Sequence, residues 1–514
     1  MKLSFRPVRL LSLAAFFAAS LTRADVTLAP LFTDHAVLQR DKPVPIWGRA
    51  DAGEKITLTF HGATAHATTA PDGRWIVLLD AMPANTEGAE LVVTGKNTVT
   101  LQDVVVGEVW LCSGQSNMEW PVSRSADAAQ EIAAANFPLI RHIKISHAVA
   151  NAPAETVKTN GWQPATPQTA PGFTAVGYFF ARDIFQKLGV PIGLVNSSWG
   201  GTPVESWMSP SALASDPAFK IIGERWQKDL ADYPAKKPAY DLMLKDWRKA
   251  EAAAKAQGEA AVAAFLRERP WQRAPRGPGD SWTPAGLFNG MINPLLPYAL
   301  RGVLWYQGES NFDRATEYRP LFSAMITAWR AHFGQGEIPF YWVNLANFKN
   351  DEDPTGLTYA FLREAQTQTL SLPKTGQALA IDIGDHDNIH PANKQEVGRR
   401  LALLAKNRVY DITCDDTGPT FLKATREGAA LRVHLAHAGS GLVAHEKPVQ
   451  SLEVAGVDRV FRAATARIER DTLLVRSPEV REPVAVRYAW RNSPEANLYN
   501  GAGLPAVPFR SDDW

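Results

Sequence analysis

The feature that most constrains this chain is a series of apolar runs between residues 104 and 410, separated by segments with helical periodicity. The runs read VVVGEVWLCSG, PIGLVNSSWGG, ALRGVLWYQGES, IPFYWVNLA and ALAIDIG. Continuous apolar runs are typical of strands that are buried on both faces, and helices between such strands indicate a parallel sheet. We therefore predict an α/β domain over residues 104–410.

The segments on either side of this domain have a different pattern. Residues 25–103 contain short alternating runs such as ITLTF and WIVLLD, broken by turn clusters such as APDG. Residues 411–514 return to the same alternation in ALRVHLAHA, TLLVRS and VAVRYAW. Alternation with a period of two indicates strands with one buried face, so we predict a β-sandwich-like domain at each end.

Two further segments interrupt this organisation. Residues 211–279 are rich in Ala, Lys, Glu and Arg and end in the Pro-rich run WQRAPRGPGD, which predicts a helical insertion in the α/β domain. Residues 488–505 are rich in Asn, Tyr and Gly within an otherwise β-rich domain. That loop could return toward a functional site or pack between domains, and the sequence favours neither.

The first 24 residues have the pattern of a secretory signal peptide. Lys2, Arg6 and Arg9 precede an apolar run over residues 10–21, and small residues follow it, which predicts cleavage after Ala24. The run is shorter than the roughly 20 residues that cross a bilayer. We therefore expect export to the periplasm or the medium, and no membrane association after cleavage.

Charge and composition narrow the possible partners. The 54 Lys and Arg residues nearly balance the 53 Asp and Glu residues, so the net charge of +1 gives no basic footprint for nucleic acid. The 16 Trp residues provide aromatic faces of the kind that bind sugars. Only Cys112 and Cys414 occur, so at most one disulfide can form, and we expect no cysteine-based mechanism.

The first motif that could carry chemistry is Gly114-Gln115-Ser116-Asn117, directly after an apolar run. Ligands bind at the carboxyl ends of parallel strands, and a serine there can act as a nucleophile while its own N–H stabilises an oxyanion. The alternative is a turn serine that caps the next helix.

The second motif is the loop DHDNIHP, which contains Asp387 and His390. An Asp three residues before a His can orient the imidazole while the other ring nitrogen acts as a base. Two alternatives remain open. The loop could bind a metal, or it could be a polar surface loop in which Asp387 caps a helix.

Two more motifs follow apolar runs. In WYQGESN, the amides of Gln307 and Asn311 could stabilise an oxyanion and Glu309 could contact an imidazole, although Glu309 could equally pair with an arginine. In WGGT, the Gly200-Gly201 pair could let a backbone N–H approach a substrate oxygen, or it could simply form a tight turn.

Together, the runs GEVWLCSGQSNMEWPV, WGGTPVESW, WYQGESN and DIGDHDNIHP resemble the sialate O-acetylesterase family of SGNH hydrolases, strongly over residues 104–410. The resemblance implies a flavodoxin-like three-layer α/β/α domain with an ester hydrolase site. Carried over by motif, it implies Ser116 as the nucleophile and His390 as the base. It offers two carboxylates to orient His390, namely Asp387, which we favour, and Glu309.

The sequence departs from the family pattern in the third motif. SGNH enzymes have Gly-x-Asn there, whereas this chain has Gly308-Glu309-Ser310, so the usual asparagine donor is missing. We expect the N–H groups of Ser116 and Gly201 to form the oxyanion hole with the Gln307 amide, and Asn311 as second choice. Gln115 and Trp199, beside these motifs, complete the expected oxyanion and substrate-binding residues.

The expected function is a serine carbohydrate O-acetylesterase that forms an acetyl-serine intermediate and needs no cofactor. Acetylated xylan, acetylated xyloglucan and O-acetylated sialic acid are the expected substrate classes. Three rivals remain: an inactive glycan-binding protein, a glycosidase with Glu309 and Asp387 as its carboxylates, and a metal-dependent deacetylase.

Overall fold

The computed structural model describes residues 25–439, 441–445 and 447–514. The predicted signal peptide lies outside the described residues. Two β domains flank a central α/β domain, and one long strand belongs to two of these three parts.

The amino-terminal strands form two sheets that face each other. One sheet has the order β1-β3-β6, and the other has the order β5-β4-β7-β8-β2. Strands β4 and β6 alternate buried and less buried residues, as the sequence pattern predicts for strands with one face in a core. The strands are β1 Thr27–Leu28, β2 Val37–Gln39, β3 Val44–Arg49, β4 Lys55–Phe60, β5 Ala63–Thr68, β6 Arg74–Leu79, β7 Asn85–Thr94 and β8 Thr98–Gly114.

Strand β8 crosses the predicted domain boundary without a break. Its first half pairs with β7 in the amino-terminal domain, and its second half pairs in parallel with strands of the α/β domain. The sequence pattern predicts a domain boundary after residue 103, but the chain continues there as one strand without a linker. From Val104 to Gly114 every residue of the strand is buried, so the two domains share this element and are held rigidly together.

The central sheet is parallel apart from β10 at one edge. Its order is β10-β9-β11-β8-β12-β13-β14. Without the two edge strands β10 and β9, the order is that of a flavodoxin-like doubly wound sheet, with β8 at the point where the winding reverses direction. The new strands are β9 Phe137–Lys144, β10 Gln163–Ala165, β11 Ile192–Ser198, β12 Gly302–Tyr306, β13 Phe340–Val343 and β14 Thr375–Ala378.

Helices cover both faces of this sheet. Trp110 and Cys112 of β8 face a layer with α3 and α9, while Val109 and Leu111 face the layer that includes α7 and α8. This alternation requires apolar residues at every position, which is why the strand reads as one apolar run. The helices are α1 Ser116–Glu119, α2 Ala128–Ala133, α3 Ala175–Leu188, α4 Pro210–Leu213, α5 Lys220–Lys255, α6 Glu259–Glu268, α7 Ala315–Phe333, α8 Thr358–Gln368 and α9 Lys394–Val409.

Helices α5 and α6 lie in the segment where a helical insertion is predicted. Only Ile222 and Ala254 are buried along the 36 residues of α5. Its exposed face carries ion pairs four residues apart, such as Lys228 with Asp232 and Lys237 with Asp241. The two helices therefore pack mainly on each other, and the start of α5 reaches the α/β domain, where Arg225 pairs with Glu317 of α7 at 2.7 Å.

The last apolar run of the α/β domain does not form the predicted strand. Strand β14 ends at Ala378, and the following residues of ALAIDIG leave the sheet. The side chain of Ile381 is buried in the core of the carboxyl-terminal domain instead. The run is apolar because two domains bury it, and not because it pairs in the sheet.

The carboxyl-terminal domain has two four-stranded antiparallel sheets, with orders β15-β16-β21-β20 and β19-β18-β22-β24, and the pair β17-β23. Its strands are β15 Thr420–Glu427, β16 Ala430–Ala436, β17 Leu442–Ala444, β18 Leu452–Ala455, β19 Phe461–Ala463, β20 Thr465–Glu469, β21 Thr472–Arg476, β22 Ala485–Tyr488, β23 Leu498–Asn500 and β24 Phe509–Arg510.

The helices and the cysteines of the described part of the chain bear on two further expectations, a membrane span and a disulfide. None of its helices is long and apolar enough to cross a bilayer. Cys112 is buried, Cys414 is partly exposed, and both are free thiols, so the structure has no bridge between them.

The shared strand carries a buried carboxylate whose removal should destabilise the protein. Glu108 is fully buried between Arg40 of the amino-terminal domain and Arg301, whose Nε lies 2.5 Å away. Removal of one partner of a buried ion pair costs about 3–5 kcal/mol because the other charges lose their compensation. We expect Glu108→Gln to lower the melting temperature measured by calorimetry by several degrees.

The matched control is Glu495→Gln. It removes the carboxylate of an exposed pair with Lys447, and exposed pairs stabilise little. Equal melting temperatures for the two variants would contradict the role given to Glu108.

Candidate active site

The predicted nucleophile lies in a sharp turn between β8 and α1. Gly114 has φ +131°, and a Cβ at that position would lie 2.2 Å from the carbonyl oxygen of Tyr306. Only glycine fits there, and the resulting turn leads directly into the helix that begins at Ser116. The serine therefore lies at the carboxyl edge of the sheet with its side chain partly exposed, where a substrate can reach it.

The structure brings Ser116 and His390 together across 274 residues of sequence. The His390 Nε2 atom lies 2.8 Å from the Ser116 Oγ atom. The Trp120 ring stacks on the imidazole, with a centroid distance of 4.9 Å and an angle of 18° between the planes. A serine hydroxyl bonded to a neutral imidazole has the geometry of a nucleophile and its base.

The surroundings of His390 favour its neutral form. Burial, together with the positive charges of Lys394 and Arg124, lowers the pKa of His390 to about 4. An imidazole with such a pKa is unprotonated at neutral pH and can accept the serine proton.

The structure does not bring Asp387 to His390, which differs from the sequence-based expectation. The Asp387 carboxylate is exposed and lies 3.4 Å from Lys349 Nζ. The backbone N–H of Asp387 donates to Asp385 Oδ1 at 2.9 Å, which closes a local turn in this loop. Among the described residues, no hydrogen bond or ion pair reaches His390 Nδ1, so the assignment of Asp387 as the orienting group stays a prediction.

Glu309, the other expected carboxylate, contacts Asn117 and not His390. Asn117 Nδ2 donates to Glu309 Oε1 at 2.6 Å and to the carbonyl oxygen of Ile389 at 3.0 Å, while Lys394 Nζ donates to Asn117 Oδ1 at 2.5 Å. The Asn117 amide therefore joins the serine turn, the WYQGESN loop and the histidine loop. Through the Ile389 carbonyl it fixes the backbone next to His390.

The charged groups of this network are deeply buried. Burial raises the pKa of Glu309 above its ordinary value and lowers the pKa of Lys394 to about 7. Sequence reasoning missed Asn117 and Lys394. The position of Asn117 directly after the serine could have indicated its role, but a lysine in a helix usually lies in solvent, so nothing in the sequence marks Lys394.

Both amides expected in the oxyanion hole are engaged elsewhere. Gln307 is fully buried and its Nε2 donates to the Thr202 carbonyl oxygen at 3.1 Å and to Asn311 Oδ1 at 2.8 Å, which uses both protons. Asn311 Nδ2 donates to Glu205 at 2.8 Å. These amides hold neighbouring loops together, and in this structure Gln307 has no proton left for a substrate oxygen.

Gln115, by contrast, has a free amide donor. Its Oε1 accepts hydrogen bonds from the backbone N–H groups of Gly308 and Ser310, both at 3.3 Å. Those two donors fix the amide orientation, because only the oxygen can accept. The Nε2 group has no protein partner among the described residues, and it belongs to the residue next to Ser116.

The glycine pair lies directly beside the nucleophile. A Cβ at Gly200 would lie 3.1 Å from Ser116 Cβ, so any side chain there would press on the serine. The Gly200 N–H donates to Glu119 Oε2 at 2.9 Å, whereas the Gly201 N–H has no hydrogen-bond partner in the described parts of the chain. Of the two glycines, Gly201 therefore has the free donor.

Two partly exposed tryptophans border the site. Trp120 covers His390, and Trp199 stacks on His147 with a centroid distance of 4.2 Å. By contrast, three other tryptophans near the motifs lie in the core and are packing residues: Trp207, Trp305 and Trp490.

The histidine loop shows no metal site. No group of three His, Cys, Asp or Glu side chains that could hold a metal ion occurs in residues 25–439, 441–445 and 447–514.

The carboxyl-terminal loop over residues 488–505 reaches this side of the site, because His386 Nδ1 lies 2.9 Å from Ser493 Oγ. The same loop packs between domains, because the buried Arg363 donates to the carbonyl oxygens of Arg491 and Asn492.

Comparison with known proteins gives consistent matches. Residues 106–266 and 280–406 match the family described as carbohydrate esterase, sialic acid-specific acetylesterase. Rat sialate O-acetylesterase is 31% identical over 423 residues, which cover 74% of this chain and 73% of the rat protein. Human sialate O-acetylesterase is 28% identical over 94% of this chain and 91% of its own length. The crystal structure of a carbohydrate acetylesterase from Xanthomonas citri has 39% identity and a TM-score of 0.80, covering 95% of this chain and 100% of that one.

The exposed position of Asp387 leads to a prediction about its role. Its carboxylate pairs with Lys349, so Asp387→Asn should lower kcat for 4-nitrophenyl acetate by less than about 10-fold. Loss of a group that orients a catalytic histidine lowers kcat by roughly 10⁴-fold. Lys349→Gln breaks the same ion pair from its other side and is the matched control. A loss of about 10³-fold or more in Asp387→Asn alone would show that the carboxylate reaches His390 during turnover.

The low pKa of His390 leads to a prediction about pH. The base works only when unprotonated, so kcat/KM should fall on the acid side with a midpoint near pH 4. Lys394→Met removes a charge that lowers the pKa of His390, and it should move this midpoint to higher pH.

The matched control for the pH profile is Lys406→Met. It lies on the same helix but pairs with Asp183, so it should leave the midpoint unchanged. A wild-type midpoint near pH 6.5, the ordinary value for histidine, would contradict the description of the site.

Proposed function

The chain belongs to the sialic acid-specific acetylesterase family of carbohydrate esterases, and from this premise we propose that it removes acetyl groups from O-acetylated sugars through Ser116. Membership in the family makes it a carboxylic ester hydrolase. The observation that carries the serine mechanism is the 2.8 Å contact between Ser116 Oγ and His390 Nε2.

In the proposed acylation step, Ser116 Oγ attacks the acetyl carbonyl carbon while His390 Nε2 takes the hydroxyl proton. The C=O bond becomes a C–O⁻ oxyanion, and its collapse breaks the bond to the sugar oxygen, which receives the proton from His390. Water then attacks the carbonyl carbon of the acetyl-serine while His390 Nε2 takes one of its protons. The second oxyanion collapses, the bond from that carbon to Ser116 Oγ breaks, His390 returns the proton to Oγ, and acetic acid leaves and ionises to acetate. Deprotonated His390 is required at the start of each step, which fits its low pKa.

Three donors are proposed for the oxyanion. Two are the backbone N–H groups of Ser116 and Gly201, and the third is Gln115 Nε2 in place of the Gln307 amide favoured by the sequence. Gln115 is supported by its free Nε2 and by the two N–H groups that fix its Oε1. Donors held in place before the reaction stabilise the charge as it develops, because they need not reorganise.

Asn117 is proposed to hold the base in position. No protein group bonds to His390 Nδ1 in the described residues, so the imidazole is held by the Trp120 stack, the serine hydroxyl and its backbone. The Asn117 amide fixes that backbone through the Ile389 carbonyl. Glu309 and Lys394 in turn hold Asn117, which gives the buried carboxylate a structural task.

The proposed substrate is an O-acetylated oligo- or polysaccharide. The partly exposed rings of Trp120 and Trp199 beside the nucleophile support a sugar ligand, since aromatic faces pack against the apolar faces of sugars. Plant hemicelluloses such as xylan or xyloglucan and O-acetylated sialic acid are the proposed classes. Export to the periplasm or medium, proposed from the leader pattern, would bring the enzyme to such polymers.

Ser116→Ala tests the mechanism. We expect it to lower acetate release by roughly 10⁶-fold, because loss of a catalytic serine removes the covalent route and leaves only the oxyanion hole and binding. Acetate should be measured from acetylated xylan, acetylated xyloglucan and O-acetylated sialic acid in parallel, with the melting temperature as a folding control. Undiminished release by Ser116→Ala would contradict the assignment.

A further inference from the structure

The Gly200-Gly201 turn is closed by the Thr202 hydroxyl, which donates to the Trp199 carbonyl oxygen at 2.7 Å. Its central peptide is also flanked by one hydrogen bond on each side. On one side, the Gly200 N–H donates to Glu119 Oε2 at 2.9 Å. On the other, the Trp282 indole N–H donates to the Gly201 carbonyl oxygen at 2.8 Å. The peptide between them, whose N–H belongs to Gly201, is fixed at both ends.

This restraint matters because little else holds the middle of the turn. Gly201 is exposed, has φ +73°, and has open space where a Cβ would be. Glycine loses more conformational freedom than other residues when it is ordered, so without these contacts the peptide between the two glycines would sample several orientations. Only one of these orientations points the Gly201 N–H, the proposed donor, toward the oxyanion.

Each of the two restraining side chains is itself supported. Glu119 Oε1 lies 2.9 Å from His147 Nε2 and 3.3 Å from Lys144 Nζ. Burial alone would raise the pKa of Glu119, but the hydrogen bond and charge of His147 hold it below its ordinary value, so Glu119 remains an ionised acceptor. The support therefore comes from the end of β9 and the segment that follows it.

Trp282 is supported by the helical insertion. The guanidinium of Arg276 lies 3.3 Å from the centre of the Trp282 ring, and its Nη1 lies 3.4 Å from Asp229 on α5. A stacked guanidinium fixes the plane of an indole. The orientation of the Trp282 N–H toward the turn is thus coupled to the long exposed helix.

We propose that Trp282 and Glu119 are positioning residues that hold the Gly201 N–H toward the oxyanion, and that the helical insertion thereby completes the esterase site. This inference rests on the proposed serine mechanism and extends it. Neither residue touches the reacting atoms. Their contribution is to keep a backbone donor in the orientation that the transition state requires.

The test is kcat and KM of Trp282→Phe in the otherwise unchanged chain. Phenylalanine keeps an aromatic ring under Arg276 but lacks the N–H. With 4-nitrophenyl acetate, which has no sugar, we expect kcat to fall by about 10- to 100-fold. This loss is smaller than the roughly 10²- to 10³-fold loss on removing an oxyanion donor, because the Gly201 N–H is still present but less well oriented. KM should change less than about 3-fold, because the ground-state ester does not need the donor.

Trp271→Phe is the matched control. Trp271 lies in the helical insertion, is 54% exposed and packs against Trp247, without contact to the turn. Its kcat should equal that of the wild type. Glu119→Met is the second variant, which removes the other restraint at similar size, and it should also lower kcat while the protein remains folded by calorimetry.

Specific results would overturn the inference. Equal kcat in Trp282→Phe and Trp271→Phe, or a lower melting temperature with unchanged kcat of the folded protein, would make Trp282 an anchor of the insertion only. A rise in KM confined to acetylated polysaccharide would make it a sugar-binding residue. A wild-type chain that hydrolyses no acetyl ester would overturn the proposed function as well, whereas an active wild type with unaffected variants would overturn this inference alone.

Discussion

The arrangement of the site depends on the buried hydrogen bonds of the Asn117 amide. Three loops that are distant in sequence meet at this side chain: the turn after β8, the loop after β12 and the loop before α9. A buried amide must satisfy its donors and acceptor, because an unpaired one costs about 1–3 kcal/mol. The same requirement that stabilises the fold therefore fixes His390 relative to Ser116, and the 2.8 Å contact between them follows.

Sequence reasoning succeeds where burial leaves a simple pattern. Strands β8, β11, β12 and β13 are buried on both faces, so each reads as an apolar run, and the polar residues that end them attract attention. Strand β9 does not follow this pattern because it contains Arg141 and His142. Arg141 donates to the Asp103 carboxylate. Burial lowers the pKa of His142 to about 3 and so keeps it neutral. Both side chains are therefore buried in the core although their residue types are polar.

The roles of polar side chains were harder to predict than their positions. The spacing of Asp387 and His390 suits a catalytic pair, but spacing does not show which way a loop turns, and Lys349 comes from a different part of the chain. Gln307 has the right chemistry for an oxyanion donor. Its partners Thr202 and Asn311 become visible only when the loops are folded together. An amide that fixes a loop and an amide that binds substrate have the same sequence signal.

Strand β8 and the helical insertion together explain why so large a protein surrounds so small a site. Strand β8 pairs in both the amino-terminal sheet and the central sheet, so the position of its last residue, Gly114, is fixed relative to both. The serine turn therefore starts from a rigid element. The opposite wall of the site is a glycine turn, which pairs with no strand and whose central peptide makes no backbone hydrogen bond in the described residues. A restraint from outside the sheet is needed there, and the Trp282 indole, backed by Arg276 and α5, supplies it. Rigidity on the side of Ser116 comes from sheet pairing, and on the side of the glycine turn it comes from side-chain hydrogen bonds.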